Sequence, residues 1–144
     1  MKTIKEVLET KGREIYEITP DARVFDALGE MAYRNVGALL VREGGKLVGL
    51  ISERDYARKV ILKERASKST PVSEIMSRKV VCVSPDQTVD ACMALMTGKR
   101  IRHLAVLDED RLIGVVSIGD VVKAVIDHQV FTIEQLECYI TGGR

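Results

Sequence analysis

Ile4, Val7 and Leu8 fall at helical spacing and predict a short amphipathic lead-in that Gly12 ends and that needs a partner surface. The β-like run Glu14-Ile15-Tyr16-Glu17-Ile18 follows, then the turn and helix-start signal Thr19-Pro20-Asp21. Val24, Leu28, Met31 and Ala32 carry a helical period that stops near Asn35-Val36-Gly37. Ala38-Leu39-Leu40-Val41 is continuous and apolar, as a buried strand requires, and Glu43-Gly44-Gly45-Lys46 turns it back into Leu47-Val48-Gly49-Leu50-Ile51. From Ser52 the pattern is helical again through Tyr56 and Val60 to Leu62, so the order is β-α-β-β-α.

The same order then repeats. Gly49-Leu50-Ile51-Ser52-Glu53-Arg54-Asp55 returns as Gly114-Val115-Val116-Ser117-Ile118-Gly119-Asp120, an offset of 65 positions (120 − 55) that also lays Pro20-Asp21 on Pro85-Asp86 without a gap. The second copy begins at the strand Val80-Val81-Cys82-Val83. It continues with a helix carrying Val89, Met93 and Met96, strands over His103 to Leu107 and Leu112 to Val116, and a helix from Ile118 to Ile126. The expected layout is a lead-in over 1–13, a first repeat over 14–62, a linker over 63–79, a second repeat over 80–127 and a C-terminal helical tail over 128–144. Within the linker, Thr70 and Pro71 read as the N-cap and first residue of a short helix, while its lysines and arginines form a solvated face. In the tail, Phe131, Ile133, Leu136, Tyr139 and Ile140 form a separate amphipathic segment after Asp127-His128-Gln129 and before Gly142-Gly143, suited to packing on the domain or on a second subunit.

A chain of 144 residues with 46% apolar and 30% charged residues has the composition of a folded globular protein. Its net charge of +1, with acids and bases interspersed, offers no field for a nucleic-acid backbone, and two Phe, four Tyr and no Trp offer few stacking platforms. No run is long and apolar enough to span a membrane, and the first residues lack a signal-peptide core, so a cytoplasmic protein is expected. Cys82, Cys92 and Cys138 lack metal or disulfide spacing and read as small buried side chains. The acidic tip Asp108-Glu109-Asp110 lacks the rest of a calcium loop. His103 and His128 are the only histidines, with no serine or cysteine at catalytic spacing and no Walker-type loop, so no catalytic residues and no metal site are assigned.

Each repeat ends a buried strand in Ser-x-x-Asp at the start of a helix, and two chemistries use that pattern. Ser52 and Ser117 can cap their helices while Asp55 and Asp120 complete a capping box. Equally, a helix start with a hydroxyl attracts phosphate, and an acceptor-only carboxylate one turn in takes both hydroxyls of a ribose diol. Lys11-Gly12-Arg13 has the same duality, as a capped helix end with cations on its dipole or as an anion contact.

The duplicated Gly-x-x-Ser-x-x-Asp segments, the Thr19-Pro20-Asp21 and Ser84-Pro85-Asp86 turns and the β-α-β-β-α order resemble a tandem pair of CBS domains, a Bateman module, over roughly residues 14–127. The overall layout is similar to small stand-alone CBS-pair proteins. The resemblance implies an α/β (α+β) fold of two repeats related by pseudo-twofold symmetry, with two clefts that take adenosine ligands such as AMP, ADP, ATP, NADH or S-adenosylmethionine. Carried over residue by residue, one cleft uses Asp120 and Ser117, approached by Lys11, Gly12 and Arg13, with Val36, Gly37 and Ala38 beneath the base. The other uses Asp55 and Ser52, approached by Met76, Ser77 and Arg78. The copies differ where ligand selection would occur. Ile101-Arg102-His103 replaces Val36-Gly37-Ala38, and Gly119 before Asp120 stands where Arg54 precedes Asp55. Arg102, His103 and Arg54 are thus candidate phosphate contacts, with surface ion pairing as the alternative. Many relatives carry proline where this chain has Leu40 and Ala105. The expected function is non-catalytic regulation, sensing energy or redox state through a bound nucleotide without a permanent cofactor, as a homodimer that acts on an unidentified partner protein. The alternative is a dimerisation scaffold without a physiological ligand.

Overall fold

A computed structural model describes residues 2–140, with residues 138–140 as backbone only, and the chain divides into two units. One unit is Ile15–Val80; the other joins Met1–Glu14 to Val81–Arg144. The side chains of Cys138, Tyr139 and Ile140, and Gly142-Gly143, lie outside the described residues.

In the first unit, β1 (Glu17–Ile18) pairs in parallel with β2 (Ala38–Glu43), which pairs antiparallel with β3 (Lys46–Ser52). The crossover from β1 to β2 is α2 (Val24–Arg34), as a parallel pair requires. α2 turns Val24, Ala27 and Met31 inward onto Leu39, Val41 and Ile51. After β3 come a single α-turn, α3 (Glu53–Tyr56), and a π-helical turn, Ala57–Ile61. The linker contributes to this core. Val72, Ile75 and Met76 are buried in it, and backbone bonds from Val72 to Ala22 and from Ser73 to Pro20 hold the segment in place. Its helical turn, Val72–Glu74, is 3-10, and Thr70 does not cap it. The Thr70 hydroxyl donates instead to the carbonyl of Ala66 at 2.7 Å, because Thr70 is itself buried and its carbonyl accepts from Val24.

The second unit repeats this order with β4 (Cys82–Val83), α4 (Val89–Lys99), β5 (His103–Asp108) and β6 (Arg111–Ser117). Every pairing recurs at the 65-residue offset: Ala38 opposite Ser52 becomes His103 opposite Ser117, and Glu17 opposite Leu40 becomes Cys82 opposite Ala105. Both hairpins are two-residue turns with two positive φ angles. Gly44 and Gly45 adopt them freely, whereas Glu109 and Asp110 hold φ of 49° and 66°.

The lead-in α1 (Ile4–Lys11) belongs to this second unit. Thr3 and Glu6 close a capping box at its start, and Ile4 and Lys5 donate to the carbonyls of Gln87 and Pro85. Ile4, Val7 and Leu8 are buried with Val83, Val89, Cys92, Leu104 and Val121, which is the partner surface its pattern demanded. Cys92 is fully buried, but Cys82 is exposed, on the residue of β4 opposite the buried Val83, so the expectation of burial fails for it. The last helix, α5 (Ile118–Ile140), runs unbroken through Asp127-His128-Gln129, where a separate segment was expected, since nothing there breaks a helix.

Candidate ligand site

Both Ser-x-x-Asp segments close the capping box. The Asp55 N–H donates to the Ser52 hydroxyl at 3.2 Å and the Ser52 N–H donates to Asp55 Oδ2 at 3.0 Å. In the second unit the Asp120 N–H donates to the Ser117 hydroxyl at 3.2 Å, and the Ser117 N–H to Asp120 Oδ2 at 2.8 Å. The first N–H of each helix is also taken, Glu53 donating to Gly37 and Ile118 to Arg102. The helix start therefore offers an anion fewer donors than the sequence implied. In α5 the first-turn N–H outside these bonds is that of Gly119, an exposed residue with no side chain to cover it.

A lysine sits on each carboxylate. Lys11, in the last turn of α1, places Nζ 2.6 Å from Asp120 Oδ2 and donates to the Val115 carbonyl at 2.8 Å. What puts it there is the docking of α1 on β6. A Cβ at Gly114 would lie 2.8 Å from Leu8 Cδ2, so glycine lets Leu8 seat here without a change of rotamer, and Gly12, at φ 102°, turns the chain away immediately afterwards. In the first unit Met76 occupies the matching place over Gly49, and the backbone of Ser77 pairs with Leu50 in both directions. Lys59, four residues on from Asp55, reaches Asp55 Oδ1 at 3.1 Å and the Ile75 carbonyl at 3.0 Å. Sequence reasoning passed over Lys59, although an acid and a lysine at i and i+4 are a readable pair.

Burial by itself would raise the Asp120 carboxyl, but the hydrogen bond from Lys11, those from Ser117 and the Lys11 charge outweigh it and hold the group below the ordinary carboxylate range. With the folded value below the unfolded one, Asp120 contributes its full stabilisation above about pH 3.9 and loses it as pH falls through the folded value. In urea unfolding across acid pH, Asp120→Asn should lose less stability on acidification than wild type. Parallel curves for the two proteins would remove Asp120 from the acid transition.

The remaining candidates distribute by unit. Val36, Gly37 and Ala38 lead into β2 beside Ser52, and Arg54 stands in the first turn of α3. Arg102 and His103 lead into β5 beside Ser117, with Arg102 exposed. Met76 is a core residue; Arg78 is exposed and donates to the Ser73 carbonyl at 3.3 Å. Arg13 is exposed beyond the Gly12 turn. Among the described residues no cluster of three or more His, Cys, Asp or Glu side chains could hold a metal, and no helix is long and apolar enough to cross a membrane.

Two β-α-β-β-α repeats, each ending its sheet in a Ser-x-x-Asp cap with a lysine on the carboxylate, define a paired-repeat class of protein. The chain belongs to the CBS-domain family, whose model matches residues 4–62 and 72–127. It is 43% identical to the CBS domain-containing protein CBSX3, mitochondrial, of Arabidopsis thaliana, covering 98% of this chain and 73% of that protein. It is 32% identical to the CBS domain-containing protein YhcV of Bacillus subtilis, covering 83% of each. A solved CBS-domain protein of Burkholderia ambifaria superimposes with a TM-score of 0.85 at 52% identity, over 89% of this chain and 96% of that one. At 22% identity and a TM-score of 0.77 the fold is also that of the CBS domain pair of protein MJ0100, over 89% of this chain and 98% of that one, whose structure holds 5'-methylthioadenosine and S-adenosyl-L-methionine.

Proposed function

We propose that this chain is a non-catalytic regulatory module that binds an adenosine-containing nucleotide, with Asp120 and Asp55 as acceptors for the sugar diol. The observation that carries the proposal is the duplicated carboxylate, held in one geometry at the head of a helix in both repeats and furnished each time with a cation. At Asp120 both the Ser117 N–H and Lys11 use Oδ2, so Oδ1 is the oxygen that neither engages, whereas at Asp55 the cap uses Oδ2 and Lys59 uses Oδ1. The adenosine compounds held by the MJ0100 domain pair support the ligand class. Within that class, AMP, ADP, ATP and NADH suit the cations Arg54, Arg102 and Lys11, and energy or redox sensing in the cytoplasm is the corresponding role. A binding module of this kind delivers its output to a partner protein, through a ligand that favours one of its conformations.

Thermal unfolding with and without nucleotide tests the proposal. A ligand that binds only the folded chain should add about 2.7 kcal/mol at 100 times its dissociation constant. A melting temperature indifferent to every adenosine compound would favour the second reading, a dimerisation scaffold. That reading draws on α5, which exposes Ile118, Val122, Ile126, Val130, Ile133 and Leu136 along one side of the helix. The same stripe supports a homodimer under either reading, and sedimentation of the same samples reports it.

A further inference from the structure

We propose that Lys11 is a specificity-determining residue of the second repeat, favouring nucleosides that carry a phosphate over neutral ones. The inference rests on the reading that Asp120 takes the sugar diol. Asp120 Oδ2 already accepts two bonds, from the Ser117 N–H at 2.8 Å and from Lys11 Nζ at 2.6 Å. A diol that spans both carboxylate oxygens needs one of those positions. The Ser117 bond belongs to the helix cap and is fixed by the backbone, so the bond that yields is the one from Lys11, whose stem is flexible and whose side chain is 34% exposed.

Displacement leaves the ammonium with the Val115 carbonyl alone, a neutral acceptor in place of a carboxylate. A neutral nucleoside gives nothing back. A phosphorylated one supplies an anion to the freed ammonium, and the exposed Gly119, one residue before Asp120, adds a backbone N–H to the same rim. Lys11 thus opposes every diol and repays only the anionic ones. Its position depends on α1, because Leu8 seated over Gly114 fixes the helix whose last turn presents the lysine.

Isothermal titration of the full chain with AMP and with adenosine, in an Asp55→Ala background that silences the first repeat, tests this directly. Lys11→Met keeps the stem and removes the charge. It should tighten adenosine, weaken AMP, and lower the ratio of their affinities by about tenfold or more, the scale of one charge-assisted hydrogen bond. Lys11→Arg, which keeps the charge, should hold the ratio within about threefold of the parent, a difference smaller than one such bond. If both ligands bind and Lys11→Met leaves the ratio unchanged, or Lys11→Arg lowers it equally, the inference is overturned while the site stands. If the parent binds neither compound, and the chain with Asp55 intact binds neither, the site reading falls and this inference with it.

Discussion

Asp120→Ala should weaken adenine-nucleotide binding at least about tenfold, the loss expected when a charged acceptor of buried hydroxyls is removed. The same change strips the Ser117 N–H of its acceptor and Lys11 of its counter-ion, so it should also destabilise the fold by about 1 kcal/mol as the cap is lost. The two effects separate with Ser117→Ala, which gives up the hydroxyl half of the capping box but leaves the carboxylate in place. Titration calorimetry should find a clearly larger loss of affinity in Asp120→Ala than in Ser117→Ala. An unchanged affinity in Asp120→Ala would remove that residue from the site.

Gly49→Ala should cost about 1–3 kcal/mol in urea unfolding, in the range of an overpacked core. A Cβ at Gly49 would lie 2.8 Å from Met76 Sδ and 2.8 Å from the Ser77 carbonyl oxygen, and that oxygen accepts from the Leu50 N–H, so it has no room to retreat. The comparison with Gly114→Ala is the sharper test. There the added methyl meets only the end of the Leu8 side chain, which can change rotamer, and the cost should be clearly smaller. Equal costs at the two positions would mean that the backbone pairing of Ser77 with Leu50 is not what sets the cost at Gly49.

Matched glycines in the repeat thus serve the same purpose with different partners, and so do the matched aspartates. Asp55 receives its lysine from four residues along its own helical segment; Asp120 receives one from the other end of the chain. The capping-box reading of Ser-x-x-Asp is realised in both repeats. Asp120 is engaged through Oδ2 by both Ser117 and Lys11, while Asp55 meets Ser52 through Oδ2 and Lys59 through Oδ1.

By itself the sequence determined the duplication, the β-α-β-β-α order, both hairpin turns and the placement of each aspartate one turn into a helix. These depend on local periodicity, on turn residues and on neighbours within a few positions, all of which are written linearly. Tertiary structure alone decided that α1 and the second repeat form one unit, that the linker supplies Val72, Ile75 and Met76 to the first core, and that Lys11 meets Asp120 across 109 positions. Such contacts follow from which apolar faces find each other once the sheets have formed, and a pairing set by packing leaves no period in the chain to read.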